Sequence, residues 1–408
     1  MTNLEKWRFY TSSLESPDHF IDWNYYFMVS SCLDRRVWIG DYQPLFPNLF
    51  IVFVASPGVG KSMPAKAAYN LMKGLVTVDP KTNQEKMLIN FTPNSVTYEK
   101  LLLSLAEDRS TRVVSYEDRP ERKSMYTTIC IDLYEEMGTL FRDKTNDIVT
   151  FLTDVWDCGD FANDTIKHNL RFIPNLCVNF LGCCVPSFIS RKINSFLLSE
   201  GFLGRVIFLY GDKPRQRITL LTLSDDQRTA LIDVQKHLIM LTRIKPREKG
   251  IQLTQEAFEY YDHWVQTYKN DNRLNLDRKL TDYYSRKRTH IKKMAINIHF
   301  CESLEWEITL KDIVEAIRVL EVNELTMHKA LASIGRNPMN ALAEEIKEGL
   351  RLVEAKSEQQ ILQESFNGGN KEEIDQCLSF LVNTNQVRRY IVENRPTYRI
   401  NPELINEN

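Results

Sequence analysis

The stretch Ala55-Ser-Pro57-Gly58-Val59-Gly60-Lys61-Ser62-Met63 has the residue types and spacing to hold a polyphosphate. Gly58 and Gly60 let successive backbone N–H groups turn inward and form an anion nest. Lys61 supplies a cation for β- and γ-phosphates, and the Ser62 hydroxyl can take one position on Mg²⁺. A helix that begins here points its partly positive N-terminus at the same anion. The stretch fits the phosphate-loop pattern with Ala55 where the first glycine usually stands. It makes ATP with Mg²⁺ the expected bound pair, with Pro57, Val59 and Met63 completing the nucleotide contact.

Such chemistry also needs a carboxylate on the metal and one to activate water. Both can come from Ile129-Cys-Ile-Asp132-Leu-Tyr-Glu135-Glu136-Met-Gly-Thr-Leu140. In one register the strand is Ile129–Ile131 and Asp132 faces the metal, with Leu133 next and no adjacent base. In the other the strand continues to Tyr134, Glu135 faces the metal and Glu136 is the base. The second register supplies both carboxylates and is the one adopted, at the cost of an acid inside a strand.

Strands and helices must bring these groups together. Leu49–Val54 is a run of Phe, Ile and Val without alternation, which suits a central parallel strand buried on both faces. A helix over Met63–Lys73 follows. Further strands are expected at Thr127–Leu133, Leu176–Gly182 and Arg205–Tyr210. Helices are expected at Ser95–Glu107, Asp147–Trp156 and Ser187–Leu198, an alternation that predicts a three-layer α/β domain. Residues 1–44 read as an N-terminal helical segment, with aromatic residues recurring near helical spacing. Glu107–Ser124 is polar and charged and reads as a solvated loop or insertion. Residues 218–337 read as helices (Ser224–Thr242, Thr254–Asn270, Asp277–His299, Thr309–Ser333) behind an α/β core of 45–217. From 338 onward three helices precede two short strands, the order of a winged helix-turn-helix.

Composition narrows the classes. The 408 residues carry 52 basic and 54 acidic side chains, a net charge of -2, which excludes a uniformly basic coat but leaves room for a local basic surface. The run Leu45–Ala55 is too short and too interrupted to span a bilayer, and the N-terminus lacks the basic-then-apolar order of a leader. The eight cysteines have no framework spacing and read as reduced thiols in a cytoplasmic protein.

Taken in order, these motifs resemble an AAA+ ATPase over residues 40 to 335, closest to helicase-like ATPases of phages and mobile elements and distantly similar to the minichromosome maintenance helicases. The resemblance rests on Pro47-Asn-Leu-Phe, the phosphate loop, Glu135–Leu140, Asp147–Asp157, Gly182-Cys-Cys-Val-Pro186 and Gly201-Phe-Leu-Gly-Arg205-Val. It implies that Arg205 is an arginine finger reaching the γ-phosphate of a neighbouring subunit, hence a homo-oligomer, a hexameric ring by family. It implies a first sensor at Cys184 or Asn179, and a second sensor arginine at Arg286 or, failing that, Arg288. It implies a pore hairpin before the Leu176 strand in which Lys167 contacts DNA, supported by His168 and Arg171. The tail offers Arg388, Arg389 and Arg395 on its wing as further DNA contacts.

The resulting expectation is an ATP-driven, ring-forming motor on single-stranded or forked DNA, a replicative helicase of a phage or mobile element working in the host cytoplasm. The alternative is an AAA+ loader or remodelling ATPase that does not unwind. A nucleotide-gated adaptor without hydrolysis is a third reading, disfavoured by the acidic pair and Arg205. No room remains for a primase or nuclease domain, so any such partner would be a separate chain, and a separate primase or polymerase chain is a candidate partner.

Overall fold

Phe50–Ala55 forms β1, and all six residues are buried, as a run of Phe, Ile, Val and Ala without polar alternation demands. The computed structural model describes residues 1–78, 83–92, 97–105, 110–135, 137–141, 145–165, 168–192, 201–268, 278–332, 338–351, 355–365, 371–392 and 395–401. The chain divides into two units: residues 1–186 with 196–332, and residues 187–195 with 333–408.

The first unit is mixed α/β. Its strands, in chain order, are β1, β2 (Val76–Val78), β3 (Glu85–Met87), β4 (Thr111–Ser115), β5 (Lys123–Leu133), β6 (Phe161–Thr165), β7 (His168–Ile173), β8 (Leu176–Cys184) and β9 (Ile207–Gly211). The central sheet has the order β4-β5-β8-β1-β9. β5, β8, β1 and β9 run parallel, and β4 is antiparallel at the edge. Helices α1 (Asn3–Tyr10), α2 (Asp18–Leu33) and α3 (Ser62–Lys73) come from the first part of the chain. Phe20 of α2 stacks on Phe53 of β1 at 4.6 Å, and Tyr69 of α3 meets Tyr134 at 5.1 Å. By strand alternation Phe53, Cys183 and Asp132 share that helix-covered face. A fully buried aromatic of this kind contributes about 1.5–3 kcal/mol. The opposite face receives Phe141, whose ring meets Phe180 at 6.4 Å.

Two local expectations are corrected. Glu107–Ser124 is not all loop: β4 pairs with the start of β5, Thr111 opposite Thr127 and Ser115 opposite Lys123. An edge hairpin with a solvated face tolerates Arg112 and Lys123, so its composition resembles a loop. Residues 1–44 are not helical throughout, because α2 ends at Leu33 and Asp34 takes φ +56°.

Residues 224–332 supply Asp225–Thr242, Gln255–Thr267, Thr281–Glu302 and Leu310–Ala330 as helices, with Ser224 and Thr254 side chains capping the first two. Two-residue strands β10 (Gln252–Leu253) and β11 (Glu307–Ile308) pair in parallel between them.

The second unit runs helix Pro338–Arg351, β12 (Lys356–Ser357), helix Glu358–Glu364, helix Lys371–Asn383, β13 (Val387–Val392) and β14 (Arg395–Ile400). Its sheet has the order β12-β14-β13. Leu350, Ile361, Ile374, Leu381, Val387 and Ile400 are among the residues of its own core. β12 was not expected: two residues between helices become a strand only through pairing with Thr397 and Tyr398. Among the described residues no helix is long and apolar enough to cross a membrane.

Candidate functional site

β1 delivers the chain to a turn over Ser56–Lys61, and α3 starts at Ser62. Gly58 and Gly60 have φ +83° and +89°, values that only glycine takes without strain. A Cβ on Gly58 would meet nothing within 4 Å, so the turn is open on that side. Ser56, Pro57 and Gly58 are exposed, while Val59 is buried and anchors the turn. The Lys61 Nζ donates to the Ala55 carbonyl at 3.3 Å, bending its side chain back over the loop. The N-cap residue of α3 is Lys61, and no side chain caps the helix, so its first amides are available to an anion.

The acidic segment lies two strands away in the same sheet. β5 ends at Leu133, two residues beyond Ile131 and one short of Tyr134, between the two expected registers. Asp132 lies inside the strand opposite Leu181, is 2% exposed, and neither of its carboxylate oxygens has a hydrogen-bond partner. Burial holds this carboxyl well above the usual carboxylate range. It shares a sheet face with Cys183, whose thiol approaches the Lys61 carbonyl at 3.9 Å. Glu135 is exposed just past the strand end, and Met63 is half-buried at the start of α3. Glu136 lies outside the described residues.

The two first-sensor candidates are separated. Asn179 accepts from the Leu49 N–H at 3.0 Å and from the Ser30 hydroxyl, which ties it to the start of β1. Cys184 pairs with Val54, level with the end of β1.

Arg205 and Arg286 are brought together, at the opposite edge of the sheet from the loop. Arg205 precedes β9, which begins at Ile207 opposite Ile51, whereas the loop follows Ala55 opposite Gly211. Those four residues of strand separate the two edges by ~13 Å before either side chain is counted. An Arg205 guanidinium nitrogen donates to the Gly201 carbonyl at 3.0 Å, and its buried Nε has no partner. A Cβ on Gly201 would lie 3.0 Å from Arg205 and 3.4 Å from Arg286, so both guanidinium groups converge there. Burial first, then the Arg286 charge, lowers the Arg205 pKa. A Cβ on Gly204 would come within 2.6 Å of the Asp282 carbonyl, so only glycine admits the helix carrying Arg286 this close. Arg288 is exposed, and its carbonyl accepts from the Tyr261 hydroxyl at 2.9 Å.

β6 and β7 form an antiparallel hairpin, with Asn163 opposite Arg171 and Thr165 opposite His168. Lys167 lies outside the described residues. On the β13–β14 hairpin Arg388 pairs with Arg399, Arg389 with Tyr398, and Val392 with Arg395. Arg388, Arg389 and Arg395 are exposed.

Sequence reasoning missed Ser16, whose Oγ donates to the Gly60 carbonyl at 2.6 Å across 44 positions of chain. It also passed over Arg215, whose guanidinium donates to the carbonyls of Thr11, Ser12 and Leu14. No local signal marks Ser16; for Arg215 the concentration of charge in 212–217 was the available clue. No protein-family model matches the chain, and no curated protein matches it in sequence.

Proposed function

We propose that the chain is a P-loop ATP hydrolase of the AAA+ type, with a helical lid and a winged-helix tail, working as a ring-forming motor on DNA, a replicative helicase. The observation that carries this reading is the glycine turn between a buried parallel strand and an uncapped helix, with a buried unpartnered carboxylate two strands away on the same sheet face. The order β5-β8-β1-β9 supports it, as does the helix–strand–helix–helix–strand–strand order of the second unit.

The residues present suit magnesium: Ser62 and Glu135 would hold the ion, with Asp132 replacing Glu135 if the first register operates. Bound there, the metal supplies charge neutralisation on the phosphate oxygens. The amides of Gly58 to Ser62 and the Lys61 ammonium bind and orient the phosphates. Glu136 orients and deprotonates the attacking water. Arg205 of a neighbouring copy approaches the γ-phosphate, since its own loop lies beyond its reach. Arg286 stands beside Arg205 and would act with it. His168 and Arg171 of β7, with Lys167 next to His168 in the sequence, and Arg388, Arg389 and Arg395 on the wing would take DNA phosphates.

The test is unwinding of a forked duplex with ATP and Mg²⁺. The wild-type chain should unwind and hydrolyse, and Lys61→Ala should lose both. DNA-stimulated hydrolysis without unwinding would replace the motor by a loader or remodelling ATPase.

A further inference from the structure

The segment Thr11–Asp18 lies against the back of the glycine turn. Ser16 is fully buried, and its hydroxyl donates to the Gly60 carbonyl at 2.6 Å. The approach is close enough that a Cβ on Gly60 would stand 3.2 Å from the Ser16 Oγ and 3.4 Å from its backbone N and Cα. The segment is in turn fastened by residues that follow β9. Arg215 donates to the carbonyls of Thr11 at 2.7 Å, Ser12 at 3.0 Å and Leu14 at 3.0 Å. Gln216 donates to Ser12 and Leu14 at 2.7 and 2.9 Å, and the Ile218 N–H donates to the Glu15 carboxylate at 2.8 Å.

Gly60 precedes Lys61, and the two share one peptide plane. In a trans peptide the carbonyl and the N–H point in opposite directions. A Gly60 carbonyl held outward by Ser16 therefore fixes the Lys61 N–H toward the inside of the turn. Without that bond the flexible glycine can rotate the plane, turning a carbonyl oxygen toward the phosphates and removing one donor from the nest.

We infer that Ser16 is a positioning residue for the phosphate loop, and that segment 11–18, fastened by Arg215, is the strap that holds it in place. This rests on the reading of the loop as a nucleotide site. The strap also joins the loop to the chain leaving β9 at Gly211, on the same carboxyl edge of the sheet.

The experiment is equilibrium binding of ATP, ADP and AMP to the full-length chain, comparing wild type, Ser16→Ala, Ser16→Thr and Arg215→Lys. A loop contact acts on the β- and γ-phosphates, so Ser16→Ala should weaken ATP and ADP about five- to tenfold and leave AMP within twofold. Ser16→Thr keeps a hydroxyl and should recover most of the loss. Arg215→Lys loses the fork that grips three carbonyls and should shift ATP affinity in the same direction as Ser16→Ala. Thermal unfolding of each variant tells a folding defect from a positioning one. Equal loss for all three nucleotides, or unchanged ATP affinity in a folded Ser16→Ala, overturns the inference. A wild-type chain that binds no nucleotide overturns the underlying reading instead.

Discussion

The two edges of the central sheet are built on opposite plans. The carboxyl edge is open: Gly58 faces empty space, α3 has no capping side chain, and Glu135 is exposed. The amino edge is closed and cationic: Arg205 and Arg286 converge on Gly201, and the buried Lys293 donates to the carbonyls of Asn48 at 3.3 Å and Trp156 at 3.4 Å. One edge has donors and acids open to a ligand, and at the other Arg205 and Arg286 lie side by side, with Asp157, Asp154 and Asp282 offsetting part of the charge. An ~13 Å strand length separates them within one chain, so under the proposed function the two edges would meet between copies. Burial and the Arg286 charge outweigh those three carboxylates at Arg205, and on that reading a neighbour's phosphate would add a direct partner.

The largest effect tests whether the edges meet in this way. Arg205→Ala should lower the hydrolysis rate about a thousandfold while leaving nucleotide affinity within twofold. Mixing it with Lys61→Ala should restore part of the activity, since an intact loop from one copy can then face an intact Arg205 from the other. Hydrolysis rates of each variant alone and of the mixture decide this. No recovery on mixing would mean that the amino edge serves its own chain through packing alone.

The next effect concerns how tightly the amino edge is made. His290 is buried, and its Nε2 donates to the Gly204 carbonyl at 2.8 Å. Burial, with the Lys293 and Arg286 charges adding to it, pushes its pKa down to about 4. The folded pKa lies below the unfolded one, so the unfolded chain binds the proton more readily. Stability from this group is complete above about pH 6.5 and is lost as pH falls toward 4, by about 3 kcal/mol in total. His290→Gln keeps a donor for Gly204 and should flatten that part of the profile. His19 and His237 are lowered as well, so some slope will remain. Urea midpoints for both proteins between pH 7 and pH 4 give the difference, and an unchanged slope in the variant would place the titration elsewhere.

The difference between the edges also explains how much could be read from sequence. The glycine turn was legible because its geometry depends on consecutive residues: Gly58 and Gly60 take positive φ and Ser62 starts the helix, as their own types suggest. The strands β1, β8 and β9 were legible for the same local reason, being apolar runs bounded by turns. The Arg205–Arg286 pair was not, because 81 positions separate two arginines whose contact depends on Gly204 admitting the helix Thr281–Glu302. Ser16 was invisible on the same grounds. β4 was hidden by composition, since an edge strand with a wet face looks like a polar loop, and β12 exists only through its pairing with β14.

The smallest effect separates the two registers of the acidic segment. Asp132 is buried without a partner, and its folded pKa stands well above the unfolded value. Such a group contributes most below the unfolded pKa and progressively less as pH rises through the gap, because an ionised carboxylate has no donor or cation to replace water. Asp132→Asn removes the ionisation. Relative to wild type it should gain about 1–2 kcal/mol of stability at pH 8 and little at pH 4. If Glu135 and Glu136 carry the metal and water chemistry, the variant should still hydrolyse ATP within a few fold of wild type. A variant that is more stable but inactive would assign the metal to Asp132, and the strain of an unpartnered acid would then be the condition for binding the ion. A variant that is no more stable would mean that Asp132 already has a partner when the chain is free of ligand.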